Sequence, residues 1–531
     1  MMMKRSRSRG LMAGVVLTSI PAATIAQPAA EGMFEVNVTN NLNWTTGEPQ
    51  VAVNPKNPRN LVIADHPMGT EKTPAYSVDP TSPEGLRRSG EADREYQTVI
   101  ATVSEDGGRT WRTVGKPGPL FHPDRPKQHL GGDPMAAAGP DGTFYIAGDV
   151  YSRTPGAGWA EIDWPTAGVA VAWSGDGGKT FSLPQLTGTP LNRPWMTVDQ
   201  STGTVYTVSF GFLDPNSGEH GQLAIFQSPD DPGRGSAIAD RWMVAWTPRL
   251  TSKSEPRRLG GPDFGATLSS TIAAAHGVVA ATFTYPSPFQ AAKGSAEPPL
   301  PASLRKLVPA SASCTGEQPC LFFQTSKDQG KSWTRRYVPT PAGISGLSAH
   351  VAADPLRPGH YAIGVATADR LGLSTMRTTD SGATWASSAV PQTAKGVVFK
   401  QWMAAGPTGV LGYMWRKELP APAEVEVANP NGKKGLAPGY DIYASISCDG
   451  GKTWLGPVRV NKVSSPPGPA GAADDMSHIA LDDSAAHVVW ADRRHQSDVK
   501  NVPGAWGGQQ TYYGHVPFKA FTGGRTCKPG R

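Results

Sequence analysis

One eight-residue pattern recurs along this 531-residue chain: SEDGGRTW at 104–111, SGDGGKTF at 174–181, SKDQGKSW at 326–333, TTDSGATW at 378–385 and SCDGGKTW at 447–454. Self-similarity of this kind marks an array or a propeller, and so constrains the fold more than any bulk property. A degenerate sixth copy, SPDDPGR, starts at Ser228 and has lost its closing aromatic. The chemistry of the octad is that of a hairpin turn: the Asp carboxylate accepts backbone N–H bonds, Gly supplies positive φ, and the terminal aromatic packs beneath. Each copy follows a strand-like run, as in YQTVIATV, GVAVAW, CLFFQT and YDIYASI, which places it between the third and fourth strands of a repeat.

A second element precedes each octad, an inner strand and short turn leading into a second strand. It occurs seven times: EPQVAVNPKNPRNLVIA, DPMAAAGPDGTFYIAG, RPWMTVDQSTGTVYTVSF, DFGATLSSTIAAAHGVVAATF, SAHVAADPLRPGHYAIGVA, QWMAAGPTGVLGYMW and DMSHIALDDSAAHVVWADRR. The last copy has no octad after it, but QQTYYGHV supplies a third strand and FEVNVTN, before the first repeat, is free to serve as the missing outer one. Fifty prolines and 61 glycines among short β-branched and aromatic runs agree with many strands and many turns. The expectation is an all-β fold: a β-propeller of four-stranded antiparallel blades, seven blades preferred and six as the alternative, closed by an N-terminal strand. Its segments are a leader over 1–26, an N-terminal segment with the closing strand over 27–47, the propeller over 48–518 and a tail over 519–531.

The leader is read from Lys4, Arg5, Arg7 and Arg9, the apolar run LMAGVVLTSI, and small residues ahead of a cut after Ala26. No later stretch approaches the ~20 apolar residues of a membrane helix. Removing the leader's four bases from 50 leaves 46 against 44 acids, a near balance that predicts no affinity for nucleic acid. The four cysteines then meet an oxidising compartment. Cys314 and Cys320, close together in SCTGEQPC, are expected to form a local disulfide. Cys448 and Cys527 remain, and a bridge between them would staple the tail to a turn of the last full repeat.

The octads resemble the Asp box of the sialidase superfamily, also called the BNR repeat, over roughly residues 48–515. The resemblance implies a propeller, found in glycosidases, in some polysaccharide lyases and in binding proteins. The family's arginine signature, Phe or Tyr followed by Arg, Ile and Pro, is absent near the first blade, where position 48 onward reads EPQVAV. No catalytic residue is therefore carried over.

In an up-and-down blade the first-to-second and third-to-fourth turns share one face. Here those turns are short, whereas the long segments at 67–95, 150–168, 286–319, 417–439 and 495–509, with crossovers at 234–262 and 455–474, fall on the other face, where sites are usually built. Residues at the starts of inner strands are then Glu48, Asp133, Arg193, Asp263, Gln401 and Asp475. Second strands end at Asp65, His66, Asp149, Tyr285, Asp369, Arg370, Arg416, Asp492, Arg493 and Arg494. Arg193, Arg370, Arg416 and Arg493 are candidates to bind a substrate carboxylate through guanidinium forks. Glu48, Asp65, Asp133 and Asp475 are candidates for acid and base work on a glycosidic bond. Tyr285 is a candidate nucleophile, because sialidase-type chemistry can use Tyr. Each of these residues also has a structural role open to it, capping a strand or pairing across blades, and Arg493 or Arg494 has Asp492 beside it. Trp195, Trp402 and Trp415 lie near the same mouth, as sugar platforms or as wedges between blades. His129, His350 and His478 show no metal-binding spacing, and neither a metal nor a cofactor is expected.

The function this predicts is an exported, secreted or periplasmic glycoside hydrolase acting on an acidic sugar such as sialic acid. The alternatives are a lyase on uronate polymers and a non-catalytic propeller that binds glycan or protein. The partner is a glycan or acidic polysaccharide, without nucleic acid or membrane insertion, and the chain is expected to be a monomer.

Overall fold

The computed structural model describes residues 32–40, 45–70, 95–97, 99–115, 129–151, 168–182, 185–188, 191–211, 241–246, 257–259, 271–285, 300, 302–312, 314–315, 318–328, 332–345, 349–392, 396–420, 436–469, 476–495 and 509–527. They form antiparallel sheets that follow one another around an axis, six of four strands and one with a short fifth. Blade 1 contains Thr45–Val53, Leu61–Thr70, Ile100–Ser104 and Arg112–Gly115, with Glu95–Gln97 as the extra strand. Blade 2 contains His129–Ala138, Phe144–Tyr151, Gly168–Ser174 and Gln185–Gly188, and blade 3 Leu191–Val198, Val205–Gly211, Arg241–Trp246 and Arg257–Leu259. Blade 4 runs Ile272–Ala275, Val278–Tyr285, Cys320–Ser326 and Thr334–Val338, and blade 5 Ala349–Ala353, Tyr361–Ala366, Leu373–Thr378 and Ala386–Val390. Blade 6 is Val398–Ala405, Leu411–Glu418, Tyr440–Ser447 and Leu455–Arg459. Blade 7 joins His478–Leu481, Ala485–Asp492 and Gln510–Pro517 to Phe34–Asn37. Each inner strand touches the next, and that of blade 7 touches that of blade 1, so the ring is closed.

Burial explains the sequence patterns. Middle strands such as Cys320–Ser326 and Ala485–Asp492 are buried along their whole length, because neighbouring blades cover both faces. Their sequences are accordingly continuous rather than alternating. The outer strand Thr334–Val338 meets solvent and alternates, with Thr334 and Arg336 exposed.

The octads are turns, each closed by its Asp. Asp106 Oδ1 accepts N–H bonds from Arg109 at 3.0 Å and Thr110 at 2.9 Å, and Oδ2 accepts the Thr110 hydroxyl at 2.6 Å. Asp176, Asp380 and Asp449 hold the threonines of their own boxes in the same way. One glycine in each of these boxes also seals the seam to the preceding blade. A Cβ on Gly108 would lie 2.3 Å from the Tyr513 ring of blade 7; one on Gly178 would meet Val62 of blade 1 at 2.6 Å, and one on Gly382 Phe323 of blade 4 at 2.8 Å. The glycine is thus required twice, by its positive φ and by the blade beneath it.

FEVNVTN takes the place expected for it. Phe34 pairs with His515 and Asn37 with Tyr512, which makes Phe34–Asn37 the outer strand of blade 7. Both disulfides are present, Cys314–Cys320 and Cys448–Cys527. The second anchors the chain just beyond the short helix α1, Phe518–Thr522, whose Phe521 packs against Gly456 of blade 6. Among the described residues, no helix is long and apolar enough to cross a membrane.

Gly108→Ala is expected to cost about 2–4 kcal/mol of unfolding free energy, because strain at φ +88 and a displaced Tyr513 come together at this residue. Denaturant titration checks it, and a loss below about 1 kcal/mol contradicts the seam argument.

Candidate functional site

Four inner strands begin with the same irregularity. Pairing with the second strand slips between Gly47 and Gln50 in blade 1, Gly132 and Met135 in blade 2, Asn192 and Trp195 in blade 3, and Phe399 and Trp402 in blade 6. Such bulges re-aim side chains and collect near active sites. In three of them a non-glycine residue sits at positive φ: Glu48 at 57°, Asp133 at 45° and Lys400 at 48°. In blade 3 the slip spans Arg193, whose side chain lies outside the described residues. One rung at the end of the axis therefore carries a charged residue from each of four blades, three of them in a backbone conformation that L-residues adopt only at a cost. Lys400 was not among the sequence candidates. Aligning KQW with EPQ, DPM and RPW would have found it, one position before Gln401.

Glu48 is buried and its Oε2 lies 3.6 Å from Nδ1 of His66, also buried. Asp65 sits opposite the blade 1 bulge on the second strand and is 2% exposed. Burial pushes its carboxyl up to about 7, against the partial opposition of a hydrogen bond with the Thr511 hydroxyl. Its Oδ1 has no hydrogen-bond partner in the structure. The Thr511 hydroxyl is shared in turn with Thr46 at 2.9 Å.

The arginine candidates separate. Arg416, fully buried, donates from Nε to Ser477 Oγ at 2.9 Å and from Nη2 to the Met476 carbonyl at 3.3 Å. Its guanidinium stands 4.5 Å from the centroid of the Tyr440 ring, and that of Arg493 stands 5.8 Å from the same ring. The Tyr440 hydroxyl donates to the Ala491 carbonyl, which fixes the ring between the two cations. Gln50 reaches Met476 Sδ at 3.5 Å, and the Val51 N–H donates to His478 Nδ1 at 3.4 Å, so blades 6, 7 and 1 are joined by polar contacts. Arg494 belongs elsewhere. It pairs with Asp492 at 2.8 Å and with Glu35 of the closing strand, and stacks on Tyr512 at 4.1 Å. Of the two adjacent arginines, 494 is therefore the one with the structural ion pair.

Arg370 is half-buried at φ 57° near Glu418, whose carboxyl is raised by burial and lowered in part by the Arg370 charge. Asp369 is exposed and held in its own turn by Thr367 and Leu371. Tyr285 ends the second strand of blade 4 inside the core, and burial raises its hydroxyl pKa. Asp263 and Asp475 lie outside the described residues, as do the side chains of Asp149 and His129. The sixth, degenerate octad at Ser228 lies outside them too.

The tryptophans are packing groups. Trp402 is sandwiched by His350 at 4.5 Å and His478 at 4.7 Å and meets Trp195 at 5.1 Å, and these rings fill the axis. Burial pushes both imidazoles down to about 3, so they are neutral at physiological pH. From the rings to the first-to-second turns runs a cavity of about 420 Å³ walled in part by alanines. Trp415 is not at the mouth. Strand alternation turns it away from its neighbour Arg416, into the seam with Tyr413 and Tyr443. Among the described residues, no three His, Cys, Asp or Glu side chains converge in a way that could hold a metal ion.

No family model matches the chain, and no curated protein does. Solved structures are similar at the level of overall shape. A Dyadobacter fermentans protein of unknown function is 14% identical, with 91% of this chain and 97% of that one covered and a TM-score of 0.40. The Hadza microbial sialidase Hz136 is 14% identical over 80% of this chain and 74% of its own, with a TM-score of 0.38. An α-L-arabinofuranosidase of Fusarium graminearum is 13% identical over 78% and 98%, with a TM-score of 0.41. Likenesses this loose carry no argument about chemistry.

Asp65 makes stability depend on pH. Its carboxyl titrates near 7 in the fold and near 3.9 in an unfolded chain, so the native state holds the extra proton between those values. The contribution is fully present below about pH 4 and is lost as pH rises through 7. Asp65→Asn, which cannot ionise, is expected to abolish this loss and to exceed the wild type in relative stability at pH 8 by on the order of 2–4 kcal/mol. Urea unfolding of both proteins at pH 5 and pH 8 reads the difference, and parallel curves would rule the assignment out.

Proposed function

We propose that this chain is an exported glycoside hydrolase acting on an acidic sugar at the mouth formed by the inner-strand bulges. The observation that carries the reading is the rung itself, where Glu48 and Asp133 are held at positive φ in adjacent blades. Strained non-glycine backbone persists where the surrounding structure insists on it, and sites for chemistry are where that happens most often. The hydrolysis of a glycosidic bond needs one carboxyl group that donates a proton to the leaving oxygen and one carboxylate that attacks or activates water. Asp65 is the group whose burial keeps a proton on it near neutral pH, the property a general acid requires. Glu48 and Asp133 are the carboxylates of the rung, and Asp475 stays among the candidates.

An acidic substrate is suggested by cations in the blades that lead round the ring to blade 1. Arg416 and Arg493 stand in blades 6 and 7, of which blade 7 adjoins blade 1, with Lys400 on the rung of blade 6; Arg193 and Arg370 extend the set. Arginine forks match a carboxylate in geometry as well as charge. A lyase would need a Tyr or His base beside them. The Tyr440 hydroxyl is committed to the Ala491 carbonyl and burial raises the pKa of that of Tyr285, so neither tyrosine suits that role, and Tyr285 is a poor nucleophile unless a base assists it. Two disulfides suit an oxidising compartment, outside the cell or in a periplasm, and the proposed working form is a monomer.

Purified protein incubated with sialosides and uronate polysaccharides is expected to release free acidic sugar without unsaturated product. Glu48→Gln and Asp133→Asn should each lower kcat/KM by ~100-fold or more. Unsaturated product would assign a lyase, and saturable glycan binding without turnover would assign a binding propeller; either overturns the proposal.

A further inference from the structure

On the face opposite the proposed mouth, the seams between blades are not equivalent. Asn60 closes the first-to-second turn of blade 1, its carbonyl accepting the Asn54 N–H at 3.0 Å. Its Nδ2 then stitches two blades together, donating to the Gly177 carbonyl in the box of blade 2 at 2.9 Å and to the Ser104 carbonyl of its own blade at 3.2 Å. In blade 5 the same position is His360, whose carbonyl accepts the Asp354 N–H at 3.0 Å. Here the seam to the next box encloses a cavity of about 70 Å³. The fold does not require that space, since blade 1 fills the corresponding position with an amide.

The walls of the cavity are cationic. Arg357, Arg377 and Lys452 line it together with His360, against the carboxylates of Asp354 and Asp449. Both carboxylates are already engaged. Asp449 accepts bonds on both oxygens from Thr453 and another from Ser447. Asp354 accepts the Leu356 N–H on Oδ1, and Arg357 Nε and Nη2 on Oδ2 at 2.6 and 2.5 Å. The Arg377 Nε is buried with no hydrogen-bond partner. The His360 imidazole is held below its ordinary pKa first by burial, then by the Arg357 charge, with Lys452 adding to it and Asp354 opposing, so a further positive charge is already disfavoured there. Gly450 lets the guanidinium close over the box, for a Cβ there would lie 3.3 Å from Arg357 Nη2.

We infer that this pocket, between blades 5 and 6 on the Asp-box face, is a binding site for a tetrahedral oxyanion, sulfate or phosphate, either free or as an ester on a sugar. Three cations and an imidazole around a space of this size supply donors on several sides of four oxygens and leave no room for a sugar ring inside. Arg357 and Lys452 come from different blades, so the anion also ties the seam that Asn60 ties elsewhere. The site is independent of the proposed hydrolase mouth.

Isothermal titration of the full chain with sodium sulfate and sodium phosphate, in chloride buffer of matched ionic strength, tests it. The wild type should bind one equivalent saturably. Arg377→Met and Lys452→Met should each weaken binding at least tenfold. Lys452 is exposed, so its variant keeps the test decisive if Arg377→Met fails to fold. Glucose 6-sulfate in place of sulfate separates the sources: tighter binding than inorganic sulfate assigns an ester, weaker binding a free anion. No saturable binding by the wild type, or unchanged affinity in Lys452→Met, would overturn the assignment.

Discussion

The structure depends on one pairing, that of Phe34–Asn37 with Gln510–Pro517. Without it blade 7 lacks its outer strand, and Gln510–Pro517 presents an open edge of the kind that sheets must cover. The pairing is reinforced by charge. Glu35 receives the Arg494 guanidinium and the Lys462 N–H, and Arg494 in turn holds Asp492 at the end of the neighbouring strand. Arg493, which faces Tyr440, lies between Asp492 and Arg494 in the chain, so the clasp that closes the ring also sets the backbone from which one edge of the candidate mouth is built.

The arginine pair illustrates how such a site tolerates its own charge. Burying Arg416 completely is costly unless its donors are matched, and it finds neutral partners: a hydroxyl, a carbonyl and the face of an aromatic ring. The same logic in reverse applies to Asp65, which answers burial by keeping its proton instead of finding a cation. Acid and guanidinium thus meet burial by opposite means, the one by staying protonated and the other by matching its donors.

Much of this was legible in the sequence, because its signals are local. The octads are turns whose own side chains bond within the repeat, from Ser104 to Trp111 in the first, so their position between third and fourth strands could be read without knowing the neighbours. The closing strand followed from counting strands, and the disulfides from pairing four cysteines. The starts of inner strands pointed to Glu48 and Asp133, which the structure places at bulges with positive φ. What could not be read is what depends on which way a side chain turns or on the next blade. Trp415 and Arg416 are adjacent in sequence yet face different surroundings. Tyr440 acquires its role from two arginines that come 24 residues before it and 53 after it. The bulge that brings Lys400, rather than Gln401, to the rung is a backbone event, hidden until KQW is set beside EPQ.

The ends of the chain meet in one sheet: Asn37 and Gln510, joined through their side chains, are 473 positions apart. A polypeptide leaving the ribosome N-terminus first carries its clasp from the outset and has nothing to fasten it to until nearly the whole sequence exists. The earlier blades can form by local hairpins, but the ring cannot close around them, and their seams stay accessible meanwhile. Completion of this propeller is therefore an event of the finished chain, fastened only when its last strand arrives.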